Sequence, residues 1–157
     1  MGEHRYELTV EWTGDEGTGT GSYRGYRRTH EVHAPGRPTL PGSSDPAFRG
    51  EADRWNPEQL LLASLSQCHM LWYLHLCSVN GVVVTGYTDT PQATMVEDET
   101  GGHFTEAVLR PHITVADAGM TERALALHAD ANKACFIAAS VNFPVRHEPV
   151  IVTPGQG

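Results

Sequence analysis

Asn56-Pro57-Glu58-Gln59-Leu60-Leu61-Leu62-Ala63-Ser64-Leu65-Ser66-Gln67-Cys68-His69-Met70 is the stretch on which the fold turns. Helix-start signals coincide at its head: Asn56 as N-cap, Pro57 at the first helical position and Glu58 in the first turn. An apolar run follows from Leu60, and Asn80-Gly81 supplies a stop, so one long helix is predicted to end near Val79. Its apolar residues, among them Leu60, Leu65, Met70, Trp72, Leu76 and Val79, point to every side, the pattern of a helix buried all round. Gln67, His69 and His75 interrupt the run and argue against a membrane span. The expected element is therefore the core helix of a globular domain, with more apolar surface than one small sheet can cover.

Upstream, Tyr6-Glu-Leu-Thr-Val-Glu-Trp12 alternates apolar and polar residues and predicts a strand with one buried face. Gly14 to Ser22 reads as a turn, and an extended run from about Tyr23 to Val32 is expected to complete a hairpin. Residues 34–56 carry Pro35, Pro38, Pro41 and Pro46 together with Gly36, Gly42 and Gly50, and are expected to form a long surface loop. Downstream, Val82 to Thr88, Gln92 to Glu97 and His103 to Val115 read as a strand, a hairpin and its return. A second helix is expected from Thr121 to near Cys135, and a last strand from Val145 to Thr153. The order β-β-α-β-β-β-α-β describes a single α+β domain over residues 1–157.

Composition bounds the function. Eleven Lys and Arg against nineteen Asp and Glu give a net charge of −8, which argues against nucleic acid or an anionic membrane as partner. With 39% hydrophobic and 19% charged residues the chain is ordinary globular material. The opening residues lack a basic segment followed by an apolar run, so a cytoplasmic address is expected. Nine histidines invite a metal, yet no His-Glu-x-x-His occurs, His30 and His33 would face opposite sides of a strand, and His69 and His75 diverge around a helix. The Gly17-Thr-Gly-Thr-Gly21 run is followed by neither a helix nor a Gly-Lys-Ser/Thr ending, so no nucleotide site is expected. Neither a metal nor a bound cofactor is predicted.

Three cysteines remain: Cys68, Cys77 and Cys135. Cys68 and Cys77 lie nine residues apart on one helix. That is roughly 13 Å of rise and about 180° of rotation, beyond the roughly 7 Å limit on Cα separation in a disulfide. An intramolecular redox pair would therefore join Cys135 to Cys68 or to Cys77. The competing reading is that all three are small core hydrophobes. Arg24, Arg27 and Arg28 are candidate cations beside a thiolate; in an extended strand Arg24 and Arg28 would share one face and Arg27 the other. Glu58 suits the helix dipole with or without a chemical role. Glu58 and Cys68 are ten residues apart, about 15 Å along a straight helix, so gathering both at one sulfur takes a bend or a second subunit.

The Asn56-Pro57-Glu58-x-Leu60 start, with Cys68 ten residues after the Glu, resembles the central-helix motif of the OsmC/Ohr family of thiol peroxidases. His128-Ala-Asp-Ala-Asn-Lys-Ala-Cys135, followed five residues later by Ser140, is similar to that family's second-cysteine segment. The resemblance spans about residues 5–152. It implies curved antiparallel sheets wrapped around a long buried central helix, a second helix, and an intertwined homodimer with its active site at the subunit interface. It implies further that Cys68 attacks a hydroperoxide and that Cys135 resolves the sulfenic acid as a disulfide. A dithiol or thiol-protein reductant would close the cycle, without metal or cofactor. In this resemblance Glu58 matches the Glu that holds an activating Arg, for which Arg28 is the best match, ahead of Arg24 and Arg27. The branch acting on organic hydroperoxides follows its second Cys with Pro, where this chain has Phe136-Ile137, so the preferred hydroperoxide stays open. Two other readings are a non-catalytic module binding an apolar small molecule on the same fold, and a hot-dog-like thioesterase with Glu58 as base.

Overall fold

The structure is a computed structural model that describes residues 1–156. The chain packs as two compact units, Met1–Leu61 and the remainder from Leu62. In the first, strands β1 (Thr9–Trp12), β2 (His30–His33) and β3 (Leu40–Gly42) form an antiparallel sheet in the order β1-β2-β3. Both predicted early strands are thus shorter than expected, and every residue of β1 is exposed. The predicted run from Tyr23 to Val32 is a strand only from His30, because residues 14–28 fold into successive turns. Asp15 Oδ1 accepts the N–H groups of Gly17 and Gly19, each at 2.8 Å, and Trp12 Nε1 donates to the Arg27 carbonyl at 2.8 Å. Backbone groups that a hairpin ladder would have used are spent on these local bonds. Strand alternation therefore does not apply to Arg24, Arg27 and Arg28.

The expected long loop also holds more structure than predicted. Within 34–56 lie β3 and a short 3-10 turn, Pro46–Phe48. Pro41 is tolerated in β3 because that strand is an edge, where a missing N–H costs no ladder bond. Fully buried Ser43 ties the segment down by donating to Glu51 Oε2 at 2.6 Å, while Arg27 Nε donates to Glu51 Oε1 at 3.0 Å.

Helix α1 (Pro57–Val79) has the predicted length, and its ends are built as its sequence requires. Asn56 Oδ1 accepts the Gln59 N–H at 2.8 Å and Gln59 Oε1 accepts the Asn56 N–H at 3.2 Å, a reciprocal capping box. At the other end Gly81 takes φ +72° and the Val82 N–H reaches back to the Cys77 carbonyl at 2.9 Å, closing the helix. By length and composition α1 could cross a membrane. The chain itself buries only the stripe Leu65, His69, Tyr73 and Cys77, every fourth residue, and leaves Leu71 and Val79 more than 60% exposed. Burial on every side, as predicted, is therefore not achieved by one chain.

In the second unit, β4 (Val84–Asp89), β5 (Gln92–Asp98), β6 (Gly101–Leu109), β7 (Pro111–Val115), α2 (Thr121–Ala134), β8 (Val145–His147) and β9 (Val150–Val152) follow. They make two sheets, β4-β7-β9 and β5-β6-β8. The predicted return strand breaks at Arg110, whose N–H turns to Asp89 Oδ1 at 2.7 Å. The predicted last strand breaks at Glu148-Pro149 into β8 and β9, which join the two different sheets in parallel, so the sheets are mixed rather than wholly antiparallel. Tyr73 and Cys77 of α1 pack with Ile113 and Val115 of β7 and with Ala124, Leu127 and Ala131 of α2 as one core. Burying each of its larger side chains contributes about 1.5–3 kcal/mol. This α+β arrangement places the middle of α1 against the end of α2.

Candidate active site

Cys68 lies midway along α1 and Cys135 is the first residue after α2. Packing the two helices brings these thiols close enough to interact, both in the free thiol form. Cys135 is 2% exposed and Cys68 half-buried. Burial pushes the Cys135 thiol up to about 11, and its contact with Cys68 acts in the same direction, against the N–H groups of Ala138 and Ile137. The Ala138 N–H reaches its sulfur at 3.4 Å, where the chain turns out of α2. At neutral pH Cys135 therefore keeps its proton and can present it to Cys68.

Cys77 plays no part in this pair. It is 1% exposed, sits in the core beside Tyr73, and burial raises its thiol as well. Of the two partners left open for Cys135, the fold brings up Cys68. Trp72, one turn beyond Cys68 on the same helix face, meets the ring of Phe136 edge-on at 5.5 Å. Phe136 is 69% exposed, so an aromatic pair stands beside the thiol pair at the surface.

Arg28 and Glu58 belong to the first unit. Arg28 lies in a turn, where Nη1 donates to the Tyr26 carbonyl at 2.7 Å and Nη2 to the Tyr23 carbonyl at 2.8 Å. Its guanidinium lies 3.9 Å over the Tyr26 ring, a cation–π contact. It forms no ion pair with a carboxylate among the described residues, whereas Arg27 pairs with Glu51. Glu58 is half-buried, and its Oε2 is buried without a hydrogen-bond partner among the described residues.

A histidine cluster beneath the thiols went unrecognised in the sequence. His69 Nε2 and His128 Nδ1 are 3.0 Å apart, and both residues are no more than 1% exposed. Desolvation holds His69 down to about 4 and His128 to about 3, and His147 is lowered by the same cause. The usable signal was the four-residue spacing of Leu65, His69, Tyr73 and Cys77, which puts His69 on the buried stripe. Among the described residues no group of three or more His, Cys, Asp or Glu is placed to hold a metal ion.

The OsmC-like protein family matches residues 50–149, from the approach to α1 through β8. The chain belongs to that family. An OsmC-like protein of unknown function from Vibrio cholerae superposes with a TM-score of 0.83 at 26% identity, covering 96% of this chain and 100% of its own. An organic hydroperoxide resistance protein OsmC from Legionella pneumophila aligns at 20% identity and TM-score 0.66, over 95% of this chain and 98% of its own. One from Elizabethkingia anophelis, an organic hydroperoxide resistance protein, aligns at 17% and 0.65, over 96% and 99%. These two likenesses show the shared fold. Curated proteins give no match. In this OsmC-like protein both cysteine segments lie inside the matched range.

Proposed function

We propose that this OsmC-like protein is a cysteine-based peroxidase that reduces organic hydroperoxides, and hydrogen peroxide, to alcohol and water. The observation that carries the reading is the contact between the Cys68 and Cys135 thiols, with Cys135 held as the protonated partner. In the first step the Cys68 thiolate attacks the distal peroxide oxygen. An S–O bond forms, the O–O bond breaks, and the departing alkoxide takes a proton to leave as alcohol. In the second, the Cys135 sulfur displaces water from the Cys68 sulfenic acid, giving the Cys68–Cys135 disulfide. Two electrons from an external dithiol or thiol protein restore both thiols. Such a cycle suits a reducing compartment, the cytoplasm. The Trp72–Phe136 pair beside the thiols, with Phe136 exposed and Trp72 half-buried, favours a hydroperoxide with an apolar body.

A thiol of ordinary pKa is mostly protonated at neutral pH, so the first step needs a cation at Cys68. In this proposal Arg28 supplies it and Glu58 orients Arg28. Each lacks the partner the other would be: Arg28 has no carboxylate among the described residues, and Glu58 Oε2 is buried without a donor. A homodimer with the site at its interface supplies the second subunit that the ten-residue separation of Glu58 and Cys68 calls for. It also covers Leu71, Val79 and the apolar side chains of Tyr6, Leu8 and Val10, all more than 60% exposed in the single chain.

Cys135→Ser separates the two steps. Treated with one equivalent of cumene hydroperoxide, this variant should accumulate a Cys68 sulfenic acid that a dimedone-type trap captures in near-stoichiometric yield. Trapping at Cys77 instead, or no trapping with the thiols intact, would contradict the assigned roles.

A further inference from the structure

The two helices that carry the cysteines are joined by more than the thiols. Residue numbers rise along α1 as they fall along α2: Cys68 meets Cys135, His69 meets His128, and the Tyr73 hydroxyl donates to the Ala124 carbonyl at 2.9 Å. The helices are thus antiparallel, and the imidazole pair is the rung next to the sulfurs. Its rings lie 7° from parallel with centroids 5.3 Å apart, and Tyr73 stacks on His128 at 3.9 Å. His147 of β8 closes the cluster, 5.8 Å from His69 and 6.1 Å from His128.

This rung is an expensive way to fill a core. His69 Nδ1, His128 Nε2 and His147 Nδ1 are all buried without a hydrogen-bond partner among the described residues, and apolar side chains would fill the space without that penalty. What a directional bond adds over apolar contact is register. Dispersion contacts are individually weak and non-directional, whereas an N–H···N bond weakens steeply when its distance or angle departs from a narrow range. A disulfide is equally exacting in Cα separation and torsion. We propose that the His69–His128 hydrogen bond is a positioning clamp for the dithiol, holding Cys135 in register to close on Cys68 and so governing the resolving step. The step it serves rests on the peroxidase reading, but the clamp acts on disulfide closure whatever the oxidant.

Oxidised glutathione makes closure measurable without peroxide. It forms a mixed disulfide at Cys68, and attack by Cys135 then expels reduced glutathione and leaves the Cys68–Cys135 bond. The equilibrium gives the effective concentration of the thiol pair, and acid quenching with mass analysis gives the closure rate. His128→Phe keeps a stackable ring but loses the bond, and should lower the effective concentration about tenfold, the scale of one net buried hydrogen bond. His128→Asn places an amide where Nδ1 was and should stay within about threefold of wild type. Alkylation of Cys68 by iodoacetamide should change less than about twofold in both, since the clamp acts on partner geometry and not on the attacking sulfur. His69→Leu carries the same expectation as His128→Phe should that variant fail to fold. Closure in His128→Phe or His69→Leu at the wild-type level would overturn the clamp, as would equal losses in the Asn and Phe variants or a wild type that never closes. A wild type that closes with glutathione yet ignores hydroperoxide would overturn the peroxidase reading and leave the clamp standing.

Discussion

Cys68→Ser is expected to abolish hydroperoxide reduction, with a loss of at least about a thousandfold in the second-order rate. The size follows from the chemistry. A serine hydroxyl is not ionised near neutrality, and its oxygen cannot form the S–O bond that stores the peroxide's oxidising equivalents. No other thiol can take over: Cys135 is 2% exposed and held protonated, with its pKa raised to about 11 by burial, and Cys77 is sealed in the core. Stopped-flow consumption of cumene hydroperoxide by the reduced protein reads the effect. Cys77→Ala is the matched control, costing about 1–2 kcal/mol of packing while leaving the rate within about twofold. A Cys68→Ser protein that retains a tenth of the wild-type rate would move the attacking role elsewhere.

Acid should destabilise the fold well above the carboxylate range. His69 and His128 are buried and neutral, with pKa values of about 4 and about 3 against an ordinary 6.5. The rings packed against them are those of Tyr73 of α1 and His147 of β8. Neither offers a negative charge at neutral pH, and His147, lowered by burial, has the same sign. Depressed folded-state values mean that the unfolded chain binds protons first. The stability these histidines hold is complete above about pH 6.5, is lost as pH falls, and stops changing below about pH 3. Each contributes a slope of about 1 kcal/mol per pH unit, so moving from pH 7 to pH 5 should cost about 3–4 kcal/mol. Exposed carboxylates are still ionised in that window, which isolates the effect. Urea unfolding at half-unit pH steps tests it, and a flat profile between pH 7 and 5 would contradict the neutral buried pair.

The elements that could be read from the sequence are those whose signals are local. Asn56, Pro57 and Gln59 build the capping box of α1 from adjacent residues, and Asn80-Gly81 closes it, so both ends fall where predicted. Tyr23 to Val32 misleads because a proline-free run rich in Arg and His after a turn looks like the return strand of a hairpin, while the Arg28 guanidinium in fact lies over the rings of Tyr23 and Tyr26. The all-round apolar character of α1 was visible, but one chain covers only one stripe of it. Within the site, spacing excluded a Cys68–Cys77 bond and left two partners for Cys135, and only the tertiary contact distinguishes them. The His69–His128 rung spans 59 positions and belongs to no motif, so no local pattern announces it.

Hydroperoxide is expected to convert Cys68 and Cys135 into a disulfide. Intact-mass and peptide analysis of the fully reduced wild type, before and after one equivalent of cumene hydroperoxide, tests it directly. The expected result is the loss of two hydrogens and a single cross-linked peptide pair joining Cys68 to Cys135, with Cys77 still a free thiol. Three unreacted thiols after the hydroperoxide treatment, or a bond that involves Cys77, would contradict it.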